Sequence, residues 1–350
     1  MNATQNTTIG EPFECVERAA AQVLAEIGPY TAVVNDPPWS RLAPGAPPPK
    51  HLVAAANMDV KHLDTLVAPI LGTGSEVVVG IGGGTALDTA KYVAWKCDLP
   101  LIQIPTITSV DAGFTEAIGV RIDGNVHYVG TVVPQQVVLD LELIGSAPKR
   151  LNRAGIGDIL SCHTGLHDWR AAVDAGHSPD WNEALAALGA ELLAELDDAI
   201  DDIADVNPAG IRFLADAYRR IGAACAAAGH SRFEEGSEHF WAYAYEHKTG
   251  AHHVHGELIA FATVAVAHVQ RNGAEFASRL VTRSKAVAHP ADLGIEREVF
   301  IKTLVGLRDY ARGQNLDIGV ADLHEITPQA AGDAWAFVST LPRRNKKAVD

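Results

Sequence analysis

Three segments that lie far apart in the chain carry side chains of the kind that bind divalent metal ions. Asp158 lies in GIGDILS, His239 lies in GSEHFWAYAYEH, and His255 precedes the apolar run GELIAFATVAV. One carboxylate and two imidazoles leave coordination positions open, which is typical of a catalytic metal site rather than a structural one. His239 stands in an otherwise apolar segment, so a hydrogen-bonded core residue is the alternative interpretation, and a chain with 15 histidines contains some clusters by chance. Cys162, one helical turn after Asp158, could join the ligands or be a buried, inert thiol.

A glycine-rich turn is the second candidate for chemistry. It follows the apolar run at residues 77–79 and contains Gly80, Gly82, Gly83 and Gly84. Glycines allow close backbone approach to a ligand, and the N–H groups of a helix predicted from Thr85 suit a pyrophosphate. The spacing matches neither GxGxxG nor a Walker loop, so a strand-to-helix turn without a ligand stays an alternative.

Asp36 ends an earlier β-branched run and bears on the choice of cofactor. A carboxylate at this place could accept hydrogen bonds from a ribose diol and would repel a 2′-phosphate. The position therefore favours NAD over NADP. A solvent-exposed turn aspartate is the alternative interpretation of this residue.

The elements that must position these residues fall into two parts. Short apolar runs separated by helical stretches predict a parallel sheet covered on both faces, with strands within residues 30–36, 51–58, 76–84, 99–106 and 135–144. After about residue 150 the chain is rich in Ala and Leu at helical spacing, as in residues 182–206 and 211–229. We therefore expect an α/β domain over residues 1–150 and an all-helical domain over residues 151–350.

Composition and charge narrow the class of protein. The net charge of −15 argues against nucleic acid or an anionic membrane as a partner, because both would be repelled. The apolar runs fall well short of the roughly 20 residues of a membrane span. The first residues lack the basic start and apolar stretch of a secretory signal. The four cysteines form no CxxC pair, which favours reduced thiols, and we expect a cytoplasmic protein.

Six short motifs occur in an order that resembles the iron-containing alcohol dehydrogenase superfamily. They are GGGTALDTAK at residues 82–91, PTITSVDAG at 105–113, GDILS at 157–161, DWR at 168–170, GSEH at 236–239 and HGE at 255–257. This superfamily also includes glycerol dehydrogenases and dehydroquinate synthases. Within it, the chain is similar to the glycerol dehydrogenase and sn-glycerol-1-phosphate dehydrogenase branch. The resemblance implies a dehydroquinate synthase-like fold, with cofactor and metal in the cleft between two domains.

The resemblance also implies a role for each matching residue. The pyrophosphate would lie on the glycine-rich turn, which comprises Gly82, Gly83, Gly84 and Thr85 and is supported by Asp88 and Lys91. The nicotinamide half of the cofactor would contact Thr106, Thr108 and Ser109. Asp111 would lie near the substrate hydroxyls, and the metal ligands would be Asp158, His239 and His255.

Two departures from the iron-dependent members bear on the metal and the proton. Cys162 occupies the position of their further histidine ligand, which favours zinc, with iron or nickel as alternatives. Tyr243 replaces a second histidine, so we expect proton delivery by Tyr243, His252 or a water chain. The upstream segment SRFEE also differs from that of the glycerol phosphate enzymes, which leaves open whether the substrate is phosphorylated.

The expected activity is hydride transfer between NAD, with NADP as an alternative, and a small polyol or hydroxyketone. The candidate pairs are glycerol 1-phosphate with dihydroxyacetone phosphate, and glycerol with dihydroxyacetone. An alternative is a cyclising lyase like dehydroquinate synthase, which uses bound NAD transiently and needs several cations; the candidates are Lys91, Arg121, Arg153, Arg170, Arg232 and Lys248. A non-catalytic binding protein is disfavoured by the intact glycines and ligands. Many relatives are homo-oligomers, so we expect a homo-oligomer here.

Overall fold

A six-stranded parallel sheet forms the first part of the protein. The computed structural model describes residues 13–178 and 181–344. The sheet strands are β1 (Glu14–Glu17), β2 (Tyr30–Val34), β3 (His51–Ala54), β4 (Val77–Gly82), β5 (Leu101–Pro105) and β8 (Gln136–Leu139), in the order β1-β8-β5-β4-β2-β3. All residues of β2, β4 and β5 are buried, as expected for strands covered by helices on both faces. The predicted parallel sheet is confirmed.

A separate hairpin of β6 (Ala117–Ile122) and β7 (Asn125–Thr131) lies outside that sheet. Asp123 and Gly124 connect the two strands with positive φ angles of 49° and 80°. An Asp-Gly pair is a strong signal for this kind of two-residue turn. The sequence analysis did not predict the hairpin, although the Asp-Gly signal is present.

Eighteen α-helices lie within the described residues, most of them after the sheet. They are α1 (Ala20–Glu26), α2 (Pro38–Leu42), α3 (Val60–Val67), α4 (Gly84–Cys97), α5 (Leu141–Gly145), α6 (Lys149–Arg153), α7 (Ile156–Leu160), α8 (Cys162–Asp174), α9 (Glu183–Asp205), α10 (Pro208–Ala228), α11 (Ser237–Thr249), α12 (His255–Gln270), α13 (Ala274–Arg283), α14 (Pro290–Leu293), α15 (Arg297–Val305), α16 (Leu307–Gly313), α17 (Val320–Leu323) and α18 (Pro328–Val338). After Leu139 the described chain contains helices and no strand, as predicted.

Local sequence explains where the long helices begin and how they pack. Asn182 and Asn207 cap α9 and α10, because each side-chain oxygen accepts hydrogen bonds from two of the first helical N–H groups. Helix α12 is buried almost all round and forms the centre of the helical part. None of the helices in the described ranges combines the length and hydropathy that a membrane crossing requires.

The largest apolar core joins the two parts of the chain. It consists mainly of helical residues after residue 150 but includes Phe114, Val137 and Ile144 from before it. Two smaller clusters pack on opposite faces of the sheet, around Val79 and around Val78. The division into domains at residue 150 stays a prediction.

Candidate active site

A cavity of about 1110 Å³ lies where the carboxyl ends of the parallel strands face the helical part. Residues that directly follow β2, β3, β4 and β5 line one side of it, and residues of α11 and the segment before α12 line the other. The crevice beyond the carboxyl ends of parallel strands is where α/β proteins commonly bind ligands. The volume is in the range that holds a sizeable organic ligand.

Asp158, His239 and His255 converge in this cavity from α7, α11 and α12. One ligand atom from each residue lies within 4.8 Å of the others, a spacing that could hold one metal ion. Asp158 is buried, and its Oδ2 accepts a hydrogen bond from the Asp111 N–H at 3.0 Å. Its Oδ1 is buried without a hydrogen-bond donor and lies 3.4 Å from His255 Nε2. A buried carboxylate oxygen that faces two imidazoles fits a divalent cation, because an unpaired oxygen is costly to bury.

Two glycines allow the helices that carry these ligands to approach closely. A Cβ atom at Gly157 would collide with the backbone of Gly256, and one at Gly256 would collide with the backbone oxygen of Ala154. These glycines directly precede Asp158 and directly follow His255. The close contact of α7 with α12 therefore places the carboxylate beside the imidazole.

Glu238 orients His239 and was not singled out by the sequence analysis. Its Oε1 lies 2.9 Å from His239 Nδ1 and accepts a hydrogen bond from the Gly236 N–H, while Oε2 accepts one from the Thr164 hydroxyl at 2.6 Å. A carboxylate on Nδ1 places the proton there and leaves Nε2 free to bind a metal. Burial opposes the protonated form of His239, but the hydrogen bond with Glu238 and the Glu235 carboxylate outweigh it and raise the pKa to about 9.

The glycine-rich turn lies between β4 and α4. Gly83, Gly84 and Thr85 line the cavity, whereas Gly82 does not. The side-chain oxygen of Asn35 accepts a hydrogen bond from the Gly83 N–H at 3.1 Å and thereby anchors the turn to the end of β2. A Cβ atom at Gly82 would collide with Asn35. The first N–H groups of α4 have no partner within the helix, which suits an anionic ligand.

Asp88 and Lys91 lie in α4, which follows this turn, and line the cavity; their support of the turn stays a prediction. Lys91 Nζ forms an ion pair with Asp88 at 2.7 Å and donates to the backbone oxygens of Thr115 and Ala117. Burial raises the pKa of Asp88 even though Lys91 opposes the shift. The pair ties α4 to the start of β6, so both residues serve the architecture of the cavity wall.

The PTITS segment contributes two residues to the cavity and turns a third away. Thr106 and Ser109 line the cavity. The structure does not bring Thr108 there, because its N–H and hydroxyl bind the Asn152 side chain at 2.9 and 3.1 Å. Thr108 is fully buried and joins the sheet to α6. Its predicted contact with the nicotinamide half therefore has no support from its position.

Asp36 lies at the rim of the cavity, directly after β2. One of its carboxylate oxygens accepts hydrogen bonds from the Ser40 N–H and hydroxyl at 3.1 and 2.6 Å. The residue thus caps the short helix α2 and stays exposed toward the cavity. This position is compatible with the predicted ribose contact.

Three residues predicted to act in catalysis, Asp111, Tyr243 and His252, also line the cavity. Burial and the neighbouring Asp158 carboxylate raise the pKa of Asp111. Tyr243 donates to Glu235 at 3.0 Å, and its ring centroid lies 6.0 Å from that of His239. Burial and the Glu235 carboxylate hold the pKa of Tyr243 well above its ordinary value, so the phenol keeps its proton. His252 is exposed, beside the helix that begins with His255.

Glu235 accepts hydrogen bonds from several hydroxyl groups on the part of the cavity wall next to the metal ligands. It accepts hydrogen bonds from Tyr128 at 2.9 Å, from Tyr243 at 3.0 Å and from Ser231 at 2.6 Å. The Tyr128 side chain is 56 % exposed, so these hydroxyls connect Tyr243 to the surface. The sequence analysis noted SRFEE only as a departure and did not predict this network.

Cys162 does not belong to the group of converging ligands. The geometric set comprises Asp158, His239 and His255 alone among the described residues. Cys162 is fully buried in the apolar core, and burial together with nearby carboxylates raises its pKa well above the ordinary value. A thiol that resists ionisation fits the interpretation of an inert core residue.

The cations that a cyclising lyase would need are mostly elsewhere. Of the six candidates, only Lys91 and Arg121 line the cavity, and each forms an ion pair with a carboxylate, Asp88 and Glu246 respectively. Arg232 instead binds Asp317 and the Ile318 oxygen. The described cavity thus lacks the set of cations that would grip a carboxylate and a phosphate, which disfavours the lyase.

The chain is similar in sequence to known enzymes. The family described as "Iron-containing alcohol dehydrogenase" matches residues 46–148. A glycerol-1-phosphate dehydrogenase [NAD(P)+] of Hyperthermus butylicus is 31 % identical over 252 residues, which are 71 % of this chain and 71 % of that protein. A glycerol-1-phosphate dehydrogenase [NAD(P)+] of Sulfolobus acidocaldarius is 32 % identical over 233 residues, which are 66 % of this chain and 66 % of that protein.

Solved structures share the fold at lower sequence identity. A probable glycerol dehydrogenase from Sinorhizobium meliloti superposes with a TM-score of 0.71 at 23 % identity and covers 94 % of this chain and 97 % of its own. A sulfoacetaldehyde reductase from Bifidobacterium kashiwanohense, solved in complex with NAD+, gives a TM-score of 0.65 at 17 % identity, with 95 % and 98 % covered. At such identities the structures support the fold.

Proposed function

The chain belongs to the iron-containing alcohol dehydrogenase family, and on that premise we propose that it is a metal-dependent oxidoreductase acting with NAD or NADP on a small polyol or hydroxyketone. The predicted resemblance, including the glycerol dehydrogenase and glycerol-1-phosphate dehydrogenase branch, is confirmed. The convergence of Asp158, His239 and His255 on one point of the cavity carries the proposal.

The proposed roles follow from where each side chain lies. Gly83, Gly84 and Thr85 would hold the cofactor pyrophosphate, with Thr106 and Ser109 nearer the reacting ring. A divalent cation bound by Asp158, His239 and His255, for which we propose zinc, would polarise the carbonyl or lower the pKa of the alcohol. Hydride would pass between the substrate carbon and the nicotinamide.

The chain's own residues would position the substrate and move the proton. Asp111, beside Asp158, would accept a hydrogen bond from a neighbouring substrate hydroxyl. Tyr243 keeps its proton and donates to Glu235, which Tyr128 links to the surface. We propose that this chain of hydroxyls carries the proton, with exposed His252 as the second candidate.

Four free cysteines support our proposal of a reducing, cytoplasmic setting. A homo-oligomeric state stays a prediction.

A reduction assay with two variants tests the function. Zinc-loaded protein is mixed with NADH and either dihydroxyacetone or its phosphate, and we expect a net loss of NADH absorbance with at least one of them. His255→Ala should lose zinc and turnover but keep NADH binding, measured by fluorescence. The exposed Glu298→Gln is the matched surface control. Full activity in metal-free protein, or a cycle that returns NADH unchanged, would contradict the proposal.

A further inference from the structure

The charged side chains that line the cavity are strongly unbalanced. Within residues 13–178 and 181–344, eight Asp or Glu residues line it but only three Lys or Arg residues, Arg41, Lys91 and Arg121. A cofactor pyrophosphate would add further negative charge. A substrate that brings its own phosphate needs at least one cation that is free to meet it.

Each of the three cations is already engaged. Lys91 is 1 % exposed and bound to Asp88. Arg121 forms an ion pair with Glu246 at 2.7 Å. Arg41 donates to the Ser146 hydroxyl at 3.1 Å and lies in α2, which follows Asp36. The additional histidines of the cavity are not permanent cations.

Besides Asp158, the part of the cavity wall next to the metal ligands, here called the substrate side, carries three carboxyl groups without an ion pair to a lysine or arginine of the described chain: Asp111, Glu234 and Glu235. We call these three residues the acidic patch. They lie close to the metal ligands. The Asp111 N–H donates to Asp158 at 3.0 Å, and Glu235 accepts a hydrogen bond from Tyr243, whose ring centroid lies 6.0 Å from that of His239. A dianion at this place would meet the Glu235 carboxylate, and the three lysine and arginine residues of the described cavity wall already have other partners.

Glu234 is the member of the patch that most needs a ligand. It is 6 % exposed and lines the cavity. One carboxylate oxygen accepts a weak hydrogen bond from the Cys225 thiol at 3.3 Å, and the other has no donor in the described part of the chain. Burial and the Asp111 and Glu235 carboxylates hold its pKa well above the ordinary value. A substrate hydroxyl would satisfy this carboxyl group in either protonation state, because a hydroxyl can both donate and accept a hydrogen bond.

We propose, on the basis of the dehydrogenase function above, that the acidic patch makes the enzyme select unphosphorylated substrates, whose hydroxyl or ammonium groups donate to Glu234 and Glu235. Three OH groups already point at Glu235, so Glu234 is the primary acceptor for the substrate. The hydroxyl and the ammonium group share the same chemistry here, because both donate and neither is negative.

Three alcohols that differ in one terminal substituent, which is neutral, negative or positive, test this selection: glycerol, sn-glycerol 1-phosphate and 3-amino-1,2-propanediol. Each is measured with the zinc-loaded enzyme and NAD+, first as kcat/KM from NADH formation and then as affinity by calorimetry. We expect kcat/KM for the phosphate to be at least about tenfold below that for glycerol, the scale of one nearby like charge. The amine should equal or exceed glycerol.

Glutamine variants assign the selection to the patch. In Glu234→Gln combined with Glu235→Gln, the phosphate should gain on glycerol by about tenfold, mainly through KM, because the Glu235 charge is removed while the side-chain volumes stay nearly the same. Glu298→Gln, the same change on an exposed helix, should leave the ratio unaltered.

The two proposals fail in different ways. Turnover or binding of sn-glycerol 1-phosphate that equals or exceeds that of glycerol in the wild type would overturn the charge selection while supporting the dehydrogenase. Absence of turnover with every alcohol and ketone would instead contradict the dehydrogenase, and the affinities measured by calorimetry would still decide the selection. A phosphate-to-glycerol ratio that the double variant leaves unchanged would also overturn the role of Glu234 and Glu235.

Discussion

Replacing Glu238 by glutamine would test how the metal site is held in shape. Glutamine has nearly the same size, so its oxygen can still accept from the Gly236 N–H and His239 Nδ1. Its amide nitrogen would then face the Thr164 hydroxyl, which can accept from it after turning its one proton to the Ser161 oxygen at 3.2 Å. The substitution therefore removes the negative charge behind His239, and with it one cause of the raised pKa of this imidazole.

The expected loss of metal affinity follows from that single change. A hydrogen bond to a charged group contributes about 1.5–3 kcal/mol, compared with about 0.5–1.5 kcal/mol between neutral groups. The difference of about 1–1.5 kcal/mol predicts roughly tenfold weaker zinc binding, at the lower end of the effect expected for a residue that orients a metal ligand.

Zinc affinity is measured by titration of the apoprotein in competition with a chromogenic chelator, at a constant pH above about 9, so that protons do not compete for His239 in either form. Glu298→Gln, whose side chain is 82 % exposed in the wild type, serves as the control and should bind zinc normally. Thermal unfolding of the apo forms should confirm that both variants are folded. A Glu238→Gln protein that binds zinc within about twofold of the wild type would refute the reasoning that the charge supports His239.

Three further substitutions test the surrounding structure. Gly157→Ala should lower the free energy of unfolding by about 1–3 kcal/mol, because the new Cβ would lie 2.7 Å from Gly256 Cα. The melting temperature and the zinc content should both fall, and unchanged zinc content would argue against the close approach of α7 and α12. Asn35→Ala should raise the KM for NADH about two- to twelvefold, since the Gly83 N–H loses its anchor, and an unaltered KM would contradict that role. Cys162→Ala should keep zinc stoichiometry and affinity by the same chelator competition, and loss of zinc would make the thiol a ligand.

Much of the fold could be predicted because burial leaves a local pattern in the sequence. The fully buried strands β2, β4 and β5 appear as short apolar runs, and α9 and α10 as Ala- and Leu-rich stretches with helical spacing. Strand β1 was missed, because its four residues ECVE are half polar and form an outer strand of the sheet. Such a short edge strand is recognised by its partner β8 rather than by its own composition.

The candidate metal ligands could also be predicted from the sequence, since carboxylate and imidazole are distinctive groups and stand in recognisable motifs. Their neighbours were less so. Glu238 directly precedes His239 in GSEH, but only the fold shows that its carboxylate turns back onto the imidazole. Thr108 stands in a motif expected to meet the cofactor, yet its hydroxyl points to Asn152.

The sequence by itself determined the buried strands, the long helices, the family and the residues able to bind a metal, because these depend on composition and spacing along the chain. The tertiary structure decided which of those residues meet. It brings Asp158 and His255 together through contact at Gly157 and Gly256, leaves Cys162 in the apolar core, and gathers Glu234 and Glu235 on the substrate side. Distances between segments that are remote in the chain depend on how helices pack against one another, and no local pattern records them.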